Sequence, residues 1–366
     1  MRFTTHLKRA YIPALIVPAV LGIMAAYAPA QENTYPEWTK GMDCWKAKDY
    51  TCCATEMQKI ITQDPKVASV YYILGLCQAE LKQLDQAEKN HLKVLELEPK
   101  FGGAYVQLAR IAKTRGQNDK AADWVNQGFG YLADNETKAL ALKIRGGAYV
   151  DLKKSVEAEK DLLDAAKLAP TDDGIYLLLG RVYLLKKQTE KAYDALHKAY
   201  TLKPGKEAGI MLLDAAGAAG KYDTAVKVGQ ALVDKGIKEN GILLKLGQAY
   251  LAVKNYEKSA ATLTQIPGNT PSKLSNLSQA YVGAKNWAEA EKVCLDWQKI
   301  DMKNPLSYEL LWRVYMFQER PKESKIWAER GLANTNDPKF RDLIQKADEA
   351  LRKIAPAAPA NTGKPS

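Results

Sequence analysis

The amino-acid sequence predicts an all-α fold built from a tandem series of helix pairs, and three observations support this. A residue that is most often glycine recurs at nearly constant spacing along the chain. A second, small residue follows each of these by twelve positions, and proline ends several of the units. Glycine inside a helix costs about 1 kcal/mol relative to alanine, so its recurrence indicates a packing requirement such as two closely crossing helices.

We call the first of these positions the anchor of its unit. Nine anchors are in register, and they are Gly41, Gly75, Ala109, Gly146, Gly180, Leu213, Gly247, Ser278 and Trp312. The residues twelve positions later are Cys53, Ala87, Ala121, Ala158, Ala192, Ala225, Ser259, Ala290 and Ser324. We expect the two positions to meet where the helices of a unit cross, for example Gly180 against Ala192. Proline, as at Pro204, ends the second helix and directs the chain into the next unit.

This period of about 34 residues and this layout resemble the tetratricopeptide repeat family, whose unit is a pair of antiparallel helices. The resemblance extends over residues 35–337 and implies a right-handed superhelical solenoid of about nine helix-turn-helix repeats. Apolar residues of segment 338–354 fall on one stripe, which predicts a helix that caps the last repeat. Segment 355–366 is rich in proline and alanine and lacks large apolar side chains, so we expect a disordered tail.

Residues 1–30 differ in composition from the rest of the chain. Three basic residues and no acidic residue precede an uncharged stretch, residues 10–30, that ends with Ala28 and Ala30. This arrangement predicts a secretory signal peptide at residues 1–30. The alternative is an uncleaved anchor in the inner membrane, because the uncharged stretch is long enough to cross a bilayer. Both interpretations export the body of the chain, and we expect it in a bacterial periplasm.

Four of the five cysteines cluster between Cys44 and Cys77, and the fifth is Cys294. In an exported protein such a cluster is typical of disulfides. Helical phase predicts the pairs Cys44–Cys53 and Cys52–Cys77, which would hold the N-terminal end of the array together. The alternatives are small buried thiols and, third, a zinc site, although the spacing matches no common zinc pattern.

The charge balance favours acidic partners. Without residues 1–30 the chain has 50 basic and 42 acidic residues, a net charge of +8. Such a charge favours binding to anionic peptides, polysaccharides or membrane surfaces. Export, together with the lack of any long run of basic residues in the sequence, argues against a nucleic-acid partner.

The sequence after residue 30 lacks a recognisable catalytic or metal-binding constellation. Its two histidines, His91 and His197, lie on predicted second helices three units apart. The motifs H-E-x-x-H, C-x-x-C and G-x-G-x-x-G do not occur. We therefore predict no enzymatic activity, no cofactor and no metal ligands.

The resemblance implies a partner-binding groove lined by first-helix residues three before, one after and four after each anchor. At these positions the chain offers an aromatic N-terminal end and a basic middle. The candidate groove residues are Trp38, Met42, Trp45, Tyr72, Arg110, Lys113, Lys143, Arg181 and Arg313. Aromatic residues and arginine are enriched among binding hot spots.

The function that the resemblance implies is a non-catalytic periplasmic scaffold that binds a protein or peptide partner, with the body of the chain outside the membrane. Similar exported repeat proteins serve envelope assembly, secretion or TonB-type transport. The alternative is a structural or polysaccharide-handling envelope component that binds anionic glycans through a basic inner face.

Overall fold

The computed structural model describes residues 34–354, and all regular secondary structure in this range is helical. Nineteen α-helices and one short 3-10 turn occur there, so the predicted all-α repeat fold is confirmed. The predicted signal peptide and the predicted tail lie outside the described residues. The chain divides after Lys203 into two compact units.

The N-terminal unit, described from residue 34 to residue 203, contains five successive helix pairs. The first helices are α1 (Pro36–Lys46), α3 (Ala68–Glu80), α5 (Gly102–Thr114), α7 (Asn135–Asp151) and α9 (Asp173–Leu185). The second helices are α2 (Tyr50–Gln63), α4 (Leu84–Leu97), α6 (Asn118–Gly128), α8 (Ser155–Leu168) and α10 (Thr189–Leu202). A 3-10 turn, η1 (Phe129–Tyr131), follows α6.

The C-terminal unit, described from residue 204 to residue 354, contains four helix pairs and a final helix. The pairs are α11 (Lys206–Ala218) with α12 (Tyr222–Asp234), α13 (Asn240–Ala252) with α14 (Tyr256–Leu263), α15 (Pro271–Gly283) with α16 (Trp287–Ile300), and α17 (Pro305–Phe317) with α18 (Pro321–Thr335). Helix α19 (Lys339–Ile354) covers the last pair. Phe340 is fully buried there, and the indole of Trp312 donates a hydrogen bond to the Leu343 carbonyl at 3.1 Å.

The turn inside each helix pair has one recurring geometry. Lys187 follows α9 with a left-handed φ of 56°, and the N–H of Gln188 donates to the carbonyl of Tyr183 at 2.8 Å. This closure satisfies carbonyls that the end of a helix leaves without partners. The same backbone bond recurs with left-handed residues at Lys48, Lys82, Gly116, Lys153, Gly220, Lys254, Lys285 and Glu319. The polar turns are short because this motif ends one helix and begins the next.

The two helices of a pair cross closely, and beside the predicted contact the anchor packs against a residue four positions further along the second helix. A Cβ at Gly180 would overlap the side chain of Leu196, not Ala192. The Cβ of a helical residue tilts towards the N-terminus of its helix, so in an antiparallel pair it meets a residue one turn later on the partner. The residue twelve positions on contacts the anchor backbone instead: Ser259 Oγ donates to the Gly247 carbonyl at 2.7 Å.

Candidate functional site

The first helices of neighbouring pairs lie side by side within the N-terminal unit. Helix α5 contacts α3 on one side and α7 on the other, and α7 also contacts α9. Four charged residues mark the surface that these helices share, and we call that surface the first-helix face. They are Arg110, Lys113, Asp151 and Arg181.

The aromatic end of the predicted groove is part of the hydrophobic core. Trp38, Met42, Trp45 and Tyr72 are all buried, and Trp38 and Tyr72 are among the largest fully buried side chains. They are buried because first-helix side chains pack against the adjacent helices as well as facing inward. The prediction that these four residues present an open binding surface is therefore corrected.

Arg110 lies on the first-helix face but is largely enclosed. Its guanidinium is 3.7 Å from the carboxylate of Glu80 on the neighbouring helix α3, and its side chain is 15% exposed. Desolvation lowers the pKa of Arg110, and the nearby Glu80 charge opposes that shift. The residue joins α3 to α5 and has little surface free for a partner.

Asp151, the last residue of α7, pairs with cations from both neighbouring first helices. Its carboxylate lies 2.5 Å from Lys113 Nζ on α5 and 3.1 Å from Arg181 Nη2 on α9. The Arg181 side chain is 37% exposed, the most accessible of the three. Gly147, one turn earlier on α7, has no side chain, and a Cβ there would lie 3.4 Å from Leu178 and 3.6 Å from Lys113. The result is a partly open charged surface above three adjacent helices.

Lys143 has a structural contact rather than an open position. Its Nζ lies 2.6 Å from Asp172, and both side chains are nearly enclosed. Asp172 also caps α9, because its carboxylate accepts a hydrogen bond from the N–H of Gly174 at 2.9 Å. The buried pair therefore connects α7 to the start of α9.

Arg313 belongs to the C-terminal unit. It is exposed and pairs with Glu309 one turn earlier on α17 at 3.1 Å. The same carboxylate lies 3.2 Å from Lys339 at the start of α19. Arg313 thus remains accessible, in a local ion-pair network of the last repeat and the final helix.

The four clustered cysteines form two disulfides, but the pairing inferred from helical phase is wrong. Cys44 bonds to Cys52 and Cys53 bonds to Cys77, with Cα separations of 5.7 Å and 6.4 Å. Cys53 is fully buried and faces α3 of the next repeat, whereas Cys52 is half-buried at the start of α2, near Cys44. The first bond therefore closes one helix pair, and the second joins neighbouring repeats. Cys294 is a free, buried thiol.

His91 has an unusual environment that sequence analysis did not anticipate. It is fully buried against Gly75, where a Cβ would lie 2.7 Å from its ring, and neither ring nitrogen has a hydrogen-bond partner among residues 34–354. Tyr72 contacts the ring edge to face at a centroid distance of 5.5 Å. Burial, with a smaller contribution from the Arg110 charge, lowers the pKa of His91 to about 3. The imidazole is therefore neutral at ordinary pH.

Residues 34–354 contain no group of three or more histidine, cysteine, aspartate or glutamate side chains arranged to hold a metal ion. Across the same residues, no helix is both long enough and apolar enough to span a bilayer.

Comparison with known families identifies the repeat. Tetratricopeptide repeat models match residues 68–101 and 174–206, and a further one matches residues 210–273. The chain contains tetratricopeptide repeats. Such repeats generally mediate protein–protein interactions by binding protein or peptide partners, and scaffolds of this fold are typically non-catalytic.

Two curated relatives share one region with this chain. The PEX5-related proteins of Homo sapiens and Mus musculus are each 27% identical over 186 residues, or 47% of this chain. The match covers 30% of the human protein and 33% of the mouse protein. The chain therefore spans about a third of the length of these relatives.

Several solved structures are similar to parts of this chain. PilW, described as a widely conserved type IV pilus biogenesis factor, is 16% identical, covers 52% of this chain and 88% of its own, and gives a TM-score of 0.48. MamA is 25% identical over 46% of this chain and 91% of its own, with a TM-score of 0.40. A tetratricopeptide repeat protein from Parabacteroides merdae is 12% identical over 77% and 98%, with a TM-score of 0.41.

Proposed function

We propose that this chain is an exported, non-catalytic scaffold that binds a protein or peptide partner through the first-helix face of its N-terminal unit. The observation that carries the proposal is the cluster of Lys113, Asp151 and Arg181. Charges of both signs stand there, partly exposed, above the junction of three helices. On a face of this kind, the charged residues orient a bound partner and the surrounding helices provide contact area.

The partner that fits this face best is an acidic segment. Of the three partly exposed residues of the cluster, Lys113 and Arg181 are cations and Asp151 is an anion. A carboxylate of the partner would compete with Asp151 for the Arg181 guanidinium, which offers several N–H donors in one plane. Leu177 and Leu184 lie about one turn before and after Arg181 on α9, and both retain exposed surface. They supply apolar contact beside the charge.

The two disulfides support export. Disulfides form and persist in oxidising compartments and are rare in the cytosol of most organisms. The bonds Cys44–Cys52 and Cys53–Cys77, together with the basic and apolar character of residues 1–30, are consistent with a periplasmic scaffold. Envelope assembly, secretion and TonB-type transport are the systems in which we propose that it acts.

Affinity capture tests the proposal. The full-length chain is immobilised, exposed to an envelope extract, and compared with the variants Arg181→Glu and Lys113→Glu. The matched control is Lys167→Glu, the same charge reversal at an exposed residue of the second helix α8. A captured protein, once purified, should bind each face variant at least about tenfold more weakly than the unaltered chain, and the control unchanged.

The outcome also separates a protein partner from an anionic glycan. Glycan binding through general surface charge should fade as salt rises and should respond equally to Arg181→Glu and Lys167→Glu. Binding of that kind, with no protein captured in a manner that depends on Arg181, would contradict the proposal.

A further inference from the structure

The two disulfides of the N-terminal unit differ in their exposure to solvent. Cys53 and Cys77 are both 0% exposed, whereas Cys44 and Cys52 each retain part of their surface. A disulfide is reduced when a thiolate attacks one of its sulfurs, so access to the bond helps to set the rate. A thiol in solution can therefore approach the Cys44–Cys52 bond more easily than the bond between Cys53 and Cys77.

Cys44 lies on the side of α1 that faces solvent. It lines an open cleft of about 540 Å³ along this side of the helix. The other residues that line the cleft are all exposed, and they are Pro36, Thr39, Lys40, Asp43, Ala47 and Asp49. The cleft therefore gives an approach to Cys44 that is not closed by the hydrophobic core.

The fold holds Cys44 and Cys52 near each other through contacts other than their disulfide. The N–H of Asp49 donates to the Cys44 carbonyl at 2.9 Å, and the N–H of Cys52 donates to the Asp49 carboxylate at 3.0 Å. The rings of Trp45 and Tyr50 also meet across the turn, edge to face, at a centroid distance of 5.2 Å.

The other helix pairs show that this turn does not need a covalent bond. Each of the other eight described pairs is closed by the same backbone hydrogen bond, and none of them has a disulfide across its turn. Reduction of the Cys44–Cys52 bond should therefore leave the first pair folded, with its two thiols close enough to form the bond again.

We propose that Cys44 and Cys52 form a reversible disulfide that exchanges with a dithiol partner of the Cys-x-x-Cys type. A thiolate of the partner attacks Cys44 Sγ, and the electron pair of the broken bond passes to Cys52 Sγ, which takes up a proton. The second thiolate of the partner attacks the mixed disulfide and releases Cys44, which is protonated in turn.

The dithiol thus becomes a disulfide, and its two electrons and two protons end on Cys44 and Cys52. The reverse reaction with the oxidised partner restores the bond, while Cys53–Cys77 stays intact throughout. The site shares no residue with the first-helix face, so either proposal can fail without the other.

Reduction of the native full-length chain by dithiothreitol tests this inference. Free thiols are alkylated at each concentration of the dithiol and are assigned by mass spectrometry of the digested chain. We expect alkylation of Cys44 and Cys52 at a concentration at least about tenfold below that needed for Cys53 and Cys77. Reduction of both bonds at the same concentration, or of Cys53–Cys77 first, would overturn the proposal.

A second measurement separates an exchanging bond from one that the fold requires. At the lower concentration the helical circular dichroism signal should be unchanged, and oxidised dithiothreitol should restore the Cys44–Cys52 pair. The double variant Cys44→Ser/Cys52→Ser should keep the helical signal and lose only the first reduction step. Loss of helical signal on reduction, or re-oxidation to a different pairing, would contradict the proposal.

Single variants identify the sulfur that the partner attacks. Cys52→Ser leaves the Cys44 thiol free, and Cys44→Ser leaves the Cys52 thiol free. Because Cys44 lines the open cleft, its thiol should form a mixed disulfide with glutathione disulfide several-fold faster than that of Cys52. Equal rates, or a faster reaction at Cys52, would contradict the assignment of Cys44 as the attacked residue.

Discussion

Lys113 Nζ donates a 2.5 Å hydrogen bond to Asp151, although 38 residues separate the two along the chain. Asp151 also accepts from Arg181, 30 residues later, at 3.1 Å. An acidic residue at the last position of a helix is unfavourable, because the helix dipole places partial negative charge there. The two cations from neighbouring helices offset this cost and join three repeats through one carboxylate.

The first prediction concerns Asp151→Asn. All three side chains retain solvent exposure, so the ion pairs are screened, and the free energy of unfolding should change by less than about 1 kcal/mol. Affinity for an acidic partner should instead rise several-fold, because the competing carboxylate is gone. Urea denaturation measures the first quantity, and titration with the captured partner measures the second.

The control is Asp164→Asn, which removes a carboxylate paired with Lys167 on an exposed surface of α8. It should alter neither quantity appreciably. A loss of unfolding free energy well above about 1 kcal/mol for Asp151→Asn would contradict the prediction, because it would show that the fold depends on the ion pairs of this carboxylate.

The second prediction concerns the helix crossing. Gly180→Ala introduces a Cβ that overlaps Leu196 in a buried contact, so we expect a loss of about 1–3 kcal/mol in the free energy of unfolding. Gly217→Ala is the matched control within a helix. Apart from its chain neighbours and the backbone of its own helix, no heavy atom of residues 34–354 lies within 4 Å of its Cβ position, and alanine there should stabilise α11 by up to about 1 kcal/mol. Denaturant midpoints of the two variants should move in opposite directions, and a similar shift for both would contradict the crossing geometry.

The sequence predicted the helix pairs well because their periodicity comes from packing that every repeat shares. All nine residues twelve positions after an anchor are buried. The contacts of individual side chains were harder to predict. Trp38 and Tyr72 were expected on an open groove, but burial of their large rings against the neighbouring helices favours the core. The role of Asp151 depends on cations from two other repeats, which spacing within one repeat cannot reveal.

The third prediction concerns the cysteines. Under non-reducing, denaturing conditions the chain should present one reactive thiol, that of Cys294. In the native state this thiol should not react, because burial raises its pKa to about 12 and keeps it protonated. Thiol titration with and without denaturant measures both quantities.

Paired substitutions identify the disulfide partners. Replacing Cys44 and Cys52 together by alanine should still leave one thiol in denaturant, whereas replacing Cys44 and Cys53 together should leave three. Removing Cys53 and Cys77 should cost about 3 kcal/mol, since that bond closes a loop with a separation of 24 residues. Three thiols in the variant that lacks Cys44 and Cys52, with one thiol in the variant that lacks Cys44 and Cys53, would instead indicate the pairing predicted from helical phase.

The fourth prediction is a pH dependence that originates at His91. Its pKa is about 3 in the folded chain and near 6.5 when unfolded, so the unfolded state binds more protons between these values. Stability is therefore highest above pH 6.5 and falls as the pH is lowered through that window, by about 1.4 kcal/mol per pH unit. Relative to neutral pH, the contribution at pH 5 is a loss of about 2 kcal/mol.

His91→Leu isolates this effect from other titrating groups. Leu162 and Leu196 occupy the equivalent position, sixteen residues after a glycine anchor, so leucine suits the site against Gly75. The variant also removes two buried nitrogens that have no hydrogen-bond partner in the described part of the chain, and it should be at least as stable as the parent at pH 7. Urea denaturation from pH 4 to pH 8 should show a shallower acid slope for His91→Leu than for the parent. Parallel slopes for the two proteins would contradict this prediction. They would show that water or a hydrogen-bond partner reaches the imidazole in the folded state and keeps the folded-state pKa of His91 near its unfolded value.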